Sequence, residues 1–220
     1  QENPDKYICE FPARYKWLKE KLAEKILDFD IKKKCTELNI FKEQLNAKSV
    51  SLIFSSYYLN SPASAFGHTL MKFNLHDSSD QSNELLDRAI NFSATVTTSN
   101  ALVYAVLGMV GGFKGEFSML PYFYKLREYN DFESRDIWNY ELNLTKDEID
   151  FMVMHLWELR LAKFNYYYFS KNCSYFMLAL LDVARPSLNL IKQSKTFIIP
   201  GDTIKTMIES KGLLNKITFR

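Results

Sequence analysis

The run YYFSKNCSYFMLALLDVARP, residues 167–186, sets Cys173 just ahead of apolar residues at helical spacing: Phe176, Met177, Leu180, Leu181 and Ala184. Asn172 suits the N-cap of such a helix, and Arg185-Pro186 suits its end, because the residue before proline avoids the α region. A thiol at that position meets the free backbone N–H groups of a first helical turn, which favour the thiolate. The chemistry on offer is nucleophilic attack by sulfur on a carbonyl carbon. The same cysteine also reads as the first residue of a buried stripe, since free cysteines are among the most buried residues. The run alone leaves both readings open.

A thiol nucleophile needs a base, and His68 is the best partner. It opens the alternating stretch HTLMKFNL, in which Thr69, Met71, Phe73 and Leu75 face one way and His68, Leu70, Lys72 and Asn74 the other. If the hairpin that follows is symmetric about Ser79-Asp80, position 68 faces position 91, which brings His68 beside Asn91. A slip of one residue puts Phe92 there instead. Cysteine, histidine and asparagine together meet the needs of thiol catalysis: the imidazole takes the thiol proton and the amide holds one tautomer. A histidine at a strand start also simply satisfies a backbone group, and that alternative stays open. His155 falls at the edge of a helical stripe and reads as structural, whereas His76 falls in the polar turn and reads as solvated. Other chemistries find little support. Ser64 is close to His68 in sequence but no G-x-S-x-G elbow surrounds it, and there is no HExxH, no CxxC and no histidine pair at ligand spacing. No metal and no cofactor is expected.

The elements that must carry these residues are mixed. Ala13 to Phe29 reads as a surface helix burying Leu18, Leu22 and Ile26. VSLIFSSYYL, residues 50–59, reads as a strand, followed by the loop NSPASAFG, the strand from His68, the turn DSSDQSN and a returning strand in ELLDRAINFSATV. Gly108, Gly111, Gly112 and Gly115 interrupt an apolar segment without the Lys-Ser/Thr of a phosphate loop, which points to a bulged hairpin or the rim of an apolar groove. The stretch from Pro121 to Leu144 reads as a helix leading into another strand. Thr145 and Glu148 make a capping box for a helix that buries Ile149, Met152, Val153 and Leu156, with Leu144 and Ile149 as its staple. A last helix begins near Asp202 as N-cap. The expectation is one α+β domain with helices at both ends, residues 1–45 forming a helical elaboration of a core at 50–220.

Composition narrows the function classes. A net charge of +2 and the absence of a dense basic cluster argue against nucleic acid. Seventeen Phe, 13 Tyr and 3 Trp make the chain rich in the aromatic residues that suit a membrane interface, although many belong in any core. The longest nearly uncharged stretch, Phe92 to Phe113, contains too many polar residues to span a bilayer. Three cysteines fit one bridge and one free thiol. Cys9 and Cys35 flank a helical segment and pair if the chain folds back, which implies an oxidising compartment. Two buried thiols in a reducing compartment fit equally well at this point.

Several stretches in order resemble a known family: CEFPARYKWL, YYLNSPASAFGHTLMKF, INFSA, GGFKGEFSMLPYFYKLREYNDFESRDIWNYELNLT, and LWEL followed by YYYFSKNCSYFML. They resemble the N-terminal periplasmic domain of the Lnb-type bacterial lipoprotein N-acyltransferases, from Cys9 to about Pro200. The order of histidine first and Asn-Cys later also resembles circularly permuted papain-like enzymes of the NlpC/P60 kind, which implies such a core with a small antiparallel sheet and flanking helices. The resemblance implies a cell-envelope protein on the periplasmic side of the inner membrane. It would move an acyl chain from a phospholipid to the α-amine of a diacylglyceryl-cysteine lipoprotein at the membrane surface. Carried over, the nucleophile falls on Cys173, the base on His68 and the orienting residue on Asn91, with Tyr58 and Ser64 as candidates for lining the substrate site. With Cys173 assigned to catalysis, Cys9 and Cys35 become the expected disulfide. The competing readings are a peptidoglycan endopeptidase or amidase using the same pair, and a non-catalytic lipid- or lipoprotein-binding module.

Overall fold

A computed structural model describes residues 4–22, 28–58, 66–75, 84–129, 134–194 and 197–219. Among the described residues four helices come first: α1 (Pro4–Glu10), α2 (Pro12–Leu22), α3 (Ile31–Lys34) and α4 (Thr36–Gln44). Strands β1 (Ser49–Ser55), β2 (His68–Asn74) and β3 (Arg88–Thr95) follow, with a short 3-10 turn at Glu84–Leu86. Next come α5 (Ala101–Val110), β4 (Phe113–Pro121), α6 (Tyr122–Arg127), β5 (Ile137–Leu142), α7 (Lys146–Leu159) and β6 (Phe164–Tyr166). The chain continues through α8 (Cys173–Ala184), α9 (Leu190–Gln193), α10 (Pro200–Glu209) and β7 (Leu214–Phe219). The strands form one antiparallel sheet in the order β6-β4-β3-β2-β1-β5-β7. This is the α+β class expected from the sequence.

The central strands are buried on both faces, so they read as apolar runs with only faint alternation. On one face Val50, Leu52, Met71, Phe73, Ile90 and Phe92 pack under α7 and α8 in a single large cluster. On the other, Ile53, Leu70 and Ala89 meet Tyr122, Tyr129 and Ile137 from the α6–β5 region. Lys72 lies on this second face at 4% exposure, and is tolerated because its ammonium meets Glu84 at 2.7 Å, Asp87 at 3.7 Å and the Tyr122 ring at 4.9 Å.

The helical N-terminal part is fastened to α7. The Cys9–Cys35 disulfide is formed, and ties α1 to the residue ahead of α4. Trp157 donates its indole N–H to the Cys9 carbonyl at 2.7 Å, while buried Glu158 accepts the Arg14 backbone N–H at 2.9 Å. That attachment corrects one expectation. Leu18 and Leu22 are exposed, and α2 instead buries Pro12, Ala13 and Tyr15, because its first turn is the part held against α7. Ile26 lies outside the described residues.

Other elements depart from expectation for readable reasons. The glycine-bearing segment holds a helix, α5, because Asn100 caps it by accepting from the Leu102 and Val103 N–H groups and Gly111 ends it at φ +77°. α10 starts at Pro200, whose preset φ suits a first helical position, and Asp202 sits in its first turn rather than at its N-cap. The chain's last described element is a strand, β7, which pairs with β5. The capping box at Thr145 and Glu148 and the helix it starts are as expected.

Candidate active site

Cys173 is the first residue of α8 and only 3% exposed. Asn172 positions it with all of its amide. Oδ1 accepts the Tyr175 N–H at 3.2 Å, and Nδ2 donates to the Tyr168 carbonyl at 2.8 Å and the Ile198 carbonyl at 2.6 Å. The cap thus also fastens the helix start to the two loops that flank it. Ser174, fully buried, meets the Thr69 hydroxyl at 3.2 Å and locks the same turn onto β2.

His68 begins β2 immediately after Gly67, which has φ +86°. A Cβ at Gly67 would fall 2.7 Å from the Ser55 carbonyl oxygen, so the chain turns into the strand through a space only glycine fits. Pairing of β2 with β3 runs from Phe73↔Arg88 to Met71↔Ile90. Met71 opposite Ile90 is two positions away from the register in which His68 faces Asn91. A shift of two keeps every side chain on its face. The two residues therefore share a face as diagonal neighbours, and His68 Nε2 lies 2.6 Å from Asn91 Oδ1. Because an amide oxygen only accepts, Nε2 carries the proton and Nδ1 is left for the thiol.

Beyond Met71 the β2–β3 ladder stops, close to where Ser174 meets the Thr69 hydroxyl. Burial alone would push the Cys173 thiol up. The charge and hydrogen bond of His68, helped by the Thr69 N–H and hydroxyl, outweigh burial and bring its pKa down to about 6. Burial likewise opposes the His68 imidazolium, but the facing Cys173 thiolate and the bond to Asn91 hold its pKa above the ordinary value, against the repulsion of Lys125. The pair is poised as thiolate and imidazolium, a nucleophile with its proton kept next to it.

A residue the sequence reading passed over completes the site. Tyr166, on the three-residue strand β6, is 5% exposed and stacks on Phe92 with ring centres 5.8 Å apart. Burial, and then the adjacent Cys173 charge, raise its phenol well above the ordinary range, with the Cys173 backbone N–H as a weaker opposing influence. Tyr166 lines two openings. A cleft of about 20 Å³ has Phe66, Gly67, Tyr168, Asn172, Cys173 and Pro200 as its other walls. A larger cavity, about 170 Å³, reaches His68 and Asn91 between Ser93, Lys125, Glu128 and Tyr129. A short strand within a run of tyrosines carries no periodic signal, which is why this residue could not be singled out.

The remaining candidates lie elsewhere. Tyr58 has the Arg135 guanidinium 4.9 Å over its ring, and Arg135 also covers Tyr129 at 5.3 Å, so Tyr58 is one side chain removed from the His68 cavity and lines neither opening. Ser64 and His76 lie outside the described residues. His155, whose pKa burial and Arg14 both lower, sits on α7 near Glu158. A roomier hollow of about 740 Å³ beside the disulfide, lined by Cys9, Cys35, Asp5, Lys34 and Trp157, has both its cysteines bridged and so offers no thiol nucleophile. Among the described residues no three His, Cys, Asp or Glu side chains gather as a metal site, and no helix is long and apolar enough to cross a membrane.

Comparison with known proteins bears on this arrangement. No curated protein and no solved structure matches the chain. A family model, the Lnb N-terminal periplasmic domain, matches residues 37–210, a span that holds β1 through α10 and with them His68, Asn91, Tyr166 and Cys173. The chain therefore belongs to the family of Lnb N-terminal periplasmic domains.

Proposed function

We propose that this protein is a thiol-dependent lipoprotein N-acyltransferase acting at the periplasmic face of the inner membrane. The observation that carries the reading is a buried thiol at the first residue of α8, with a histidine whose Nε2 is held by an asparagine and whose charge draws the thiol down. The acyl donor in this reading is a phospholipid and the acceptor the α-amine of a diacylglyceryl-cysteine lipoprotein, a choice that the match to the Lnb N-terminal periplasmic domain supports. Histidine on a strand and cysteine opening a helix further on also accord with a permuted papain-like core.

The Cys173 thiolate attacks the ester carbonyl of the phospholipid, and the tetrahedral oxyanion forms beside the Tyr166 hydroxyl and the Cys173 backbone N–H. Collapse breaks the acyl C–O bond, the glycerol oxygen takes the proton from His68, and lysophospholipid leaves. The acyl group stays on sulfur as a thioester. The lipoprotein amine then attacks that carbonyl, His68 accepts an amine proton, and the thiolate departs. Atoms balance without a cofactor.

The decisive experiment is mass spectrometry after incubation with phospholipid. The expected result is a hydroxylamine-sensitive acyl adduct on the Cys173 peptide, transferred to the amine of a diacylated lipopeptide when it is added. Lysophospholipid release with no adduct, or muropeptide cleavage in the absence of lipid, would overturn the reading in favour of other chemistry.

A further inference from the structure

α5 inverts the usual arrangement of a surface helix. Its sequence, ALVYAVLGMV, has no ionisable group other than the Tyr104 phenol, yet Leu102, Val103, Val106, Met109 and Val110 are 43% to 77% exposed. The helix is seated by Tyr104, Leu107 and Gly108. Tyr104 packs 5.4 Å from Phe113 and 5.5 Å from Tyr168, and Gly108 lies so close to the Tyr168 ring that a Cβ there would overlap it. These three positions span about 100° of the helix circumference, leaving the apolar remainder uncovered.

The seat belongs to the site. Tyr168 is a wall of the Cys173 cleft, and its carbonyl takes the Asn172 amide that caps α8. Phe66, another wall of that cleft, starts a second exposed apolar surface, with Phe66 5.7 Å from Phe169 and Phe169 6.3 Å from Phe197. Phe66 is 51% exposed and Phe197 65%. The small opening to the nucleophile is thus flanked by an apolar helix and an aromatic group. Two exposed lysines flank these residues in the chain: Lys114, just past the end of α5 and donating to Asn165 Oδ1, and Lys171, in the loop whose Tyr167 ring lies on Gly111.

We infer that α5 is a lipid-inserting element: its uncovered side enters the acyl-chain edge of an anionic phospholipid leaflet and holds the Cys173 cleft against the headgroups. The inference rests on the acyltransferase reading for its choice of lipid, and adds the surface by which the protein meets it. Geometry favours lipid over a protein groove, because a groove covers one stripe of a helix, whereas acyl chains fill in around all the rest. Ten residues make a helix of about 15 Å, too short to cross a bilayer and suited to lying in its interface. The flanking lysines match anionic headgroups.

The test is flotation of the whole protein with vesicles of phosphatidylethanolamine and phosphatidylglycerol. Wild type and Ile217→Glu, altered on β7 at the opposite edge of the sheet, are expected to float alike. Val106→Glu combined with Met109→Glu, with its thermal unfolding checked, is expected to lose more than about tenfold in vesicle affinity, since each carboxylate opposes insertion. Independently, Val106→Trp should show quenching of its indole by lipids brominated on the acyl chain. Failure of wild type to float, equal flotation of the double variant, or an unquenched Trp at 106 overturns the proposal. So does self-association of wild type that the double variant abolishes, which would make a second copy the occupant. Acylation of wild-type Cys173 by a soluble short-chain phospholipid is scored separately: it reports the acyltransferase reading whether or not vesicles bind.

Discussion

His68 Nε2 and Asn91 Oδ1 are 2.6 Å apart although the two residues are not directly opposite each other in the sheet. The bond is diagonal across β2 and β3, and it fixes which imidazole nitrogen faces the thiol. His68→Ala should therefore reduce acyl transfer by about 10³-fold or more, the usual reach of a general base. Asn91→Ala, which frees the ring without removing it, should cost about 10- to 100-fold, the scale of one hydrogen bond from a charged imidazolium. His155→Ala should leave turnover unchanged. Steady-state rates on all three variants check the order; equal losses for His68 and His155 would contradict it.

The low pKa of Cys173 is measurable by alkylation. A thiol lowered to about 6 is mostly thiolate at neutral pH, so reaction with iodoacetamide should stay on a plateau through pH 7 and fall as pH drops through about 6. An ordinary thiol would instead keep gaining reactivity up to about pH 8.5. His68→Ala removes the largest lowering influence, so the midpoint should move upward in that variant. Burial slows the reagent at every pH alike, and the midpoint rather than the absolute rate is the readout.

Tyr166→Phe keeps the ring on Phe92 and deletes only the hydroxyl beside the Cys173 N–H. The expected outcome is a fall in kcat of about 10²-fold, as for loss of one oxyanion donor, with the fold retained. Turnover by Tyr166→Phe equal to wild type would mean that the phenol only fills space.

The bridge between Cys9 and Cys35 closes a loop of 26 residues and lies among Trp157, Tyr15 and Leu38, away from the thiol site. Replacing both cysteines by alanine should lower unfolding free energy by about 3 kcal/mol in chemical denaturation. Alkylation of Cys173 in that variant should keep its pH profile, and peptide mapping of the wild type without reductant should find Cys9 bridged to Cys35 and Cys173 free.

Much of this was legible in the chain itself, wherever a local rule governs. Asn172 ahead of an apolar period announced α8, and Thr145 with Glu148 announced α7. His68 and Asn91 share a sheet face despite a register that differs by two from the symmetric hairpin, because an even shift keeps side chains on their face. What escaped depends on distant partners. α5 was hidden by reading Gly108 as a breaker, when that glycine makes room for Tyr168 from sixty residues on. The inward face of α2 was misread because its packing is set by Glu158 and Trp157 on another helix and by a disulfide. β6 and β7 are short or exposed strands that owe their existence to β4 and β5 beside them.

The end of the β2–β3 ladder has a practical consequence for the choice of an inert protein. Where strand pairing stops, the Thr69 N–H is among the groups that favour the Cys173 thiolate. Alanine at 173 removes the nucleophile together with the only polar atom of that side chain and leaves a void in a buried place. Serine keeps an acceptor there, while its hydroxyl is far too weak an acid to be ionised by His68. For trapping a donor phospholipid or an acceptor lipopeptide in a stalled complex, serine is the replacement that preserves the architecture, and alanine is the one that disturbs it.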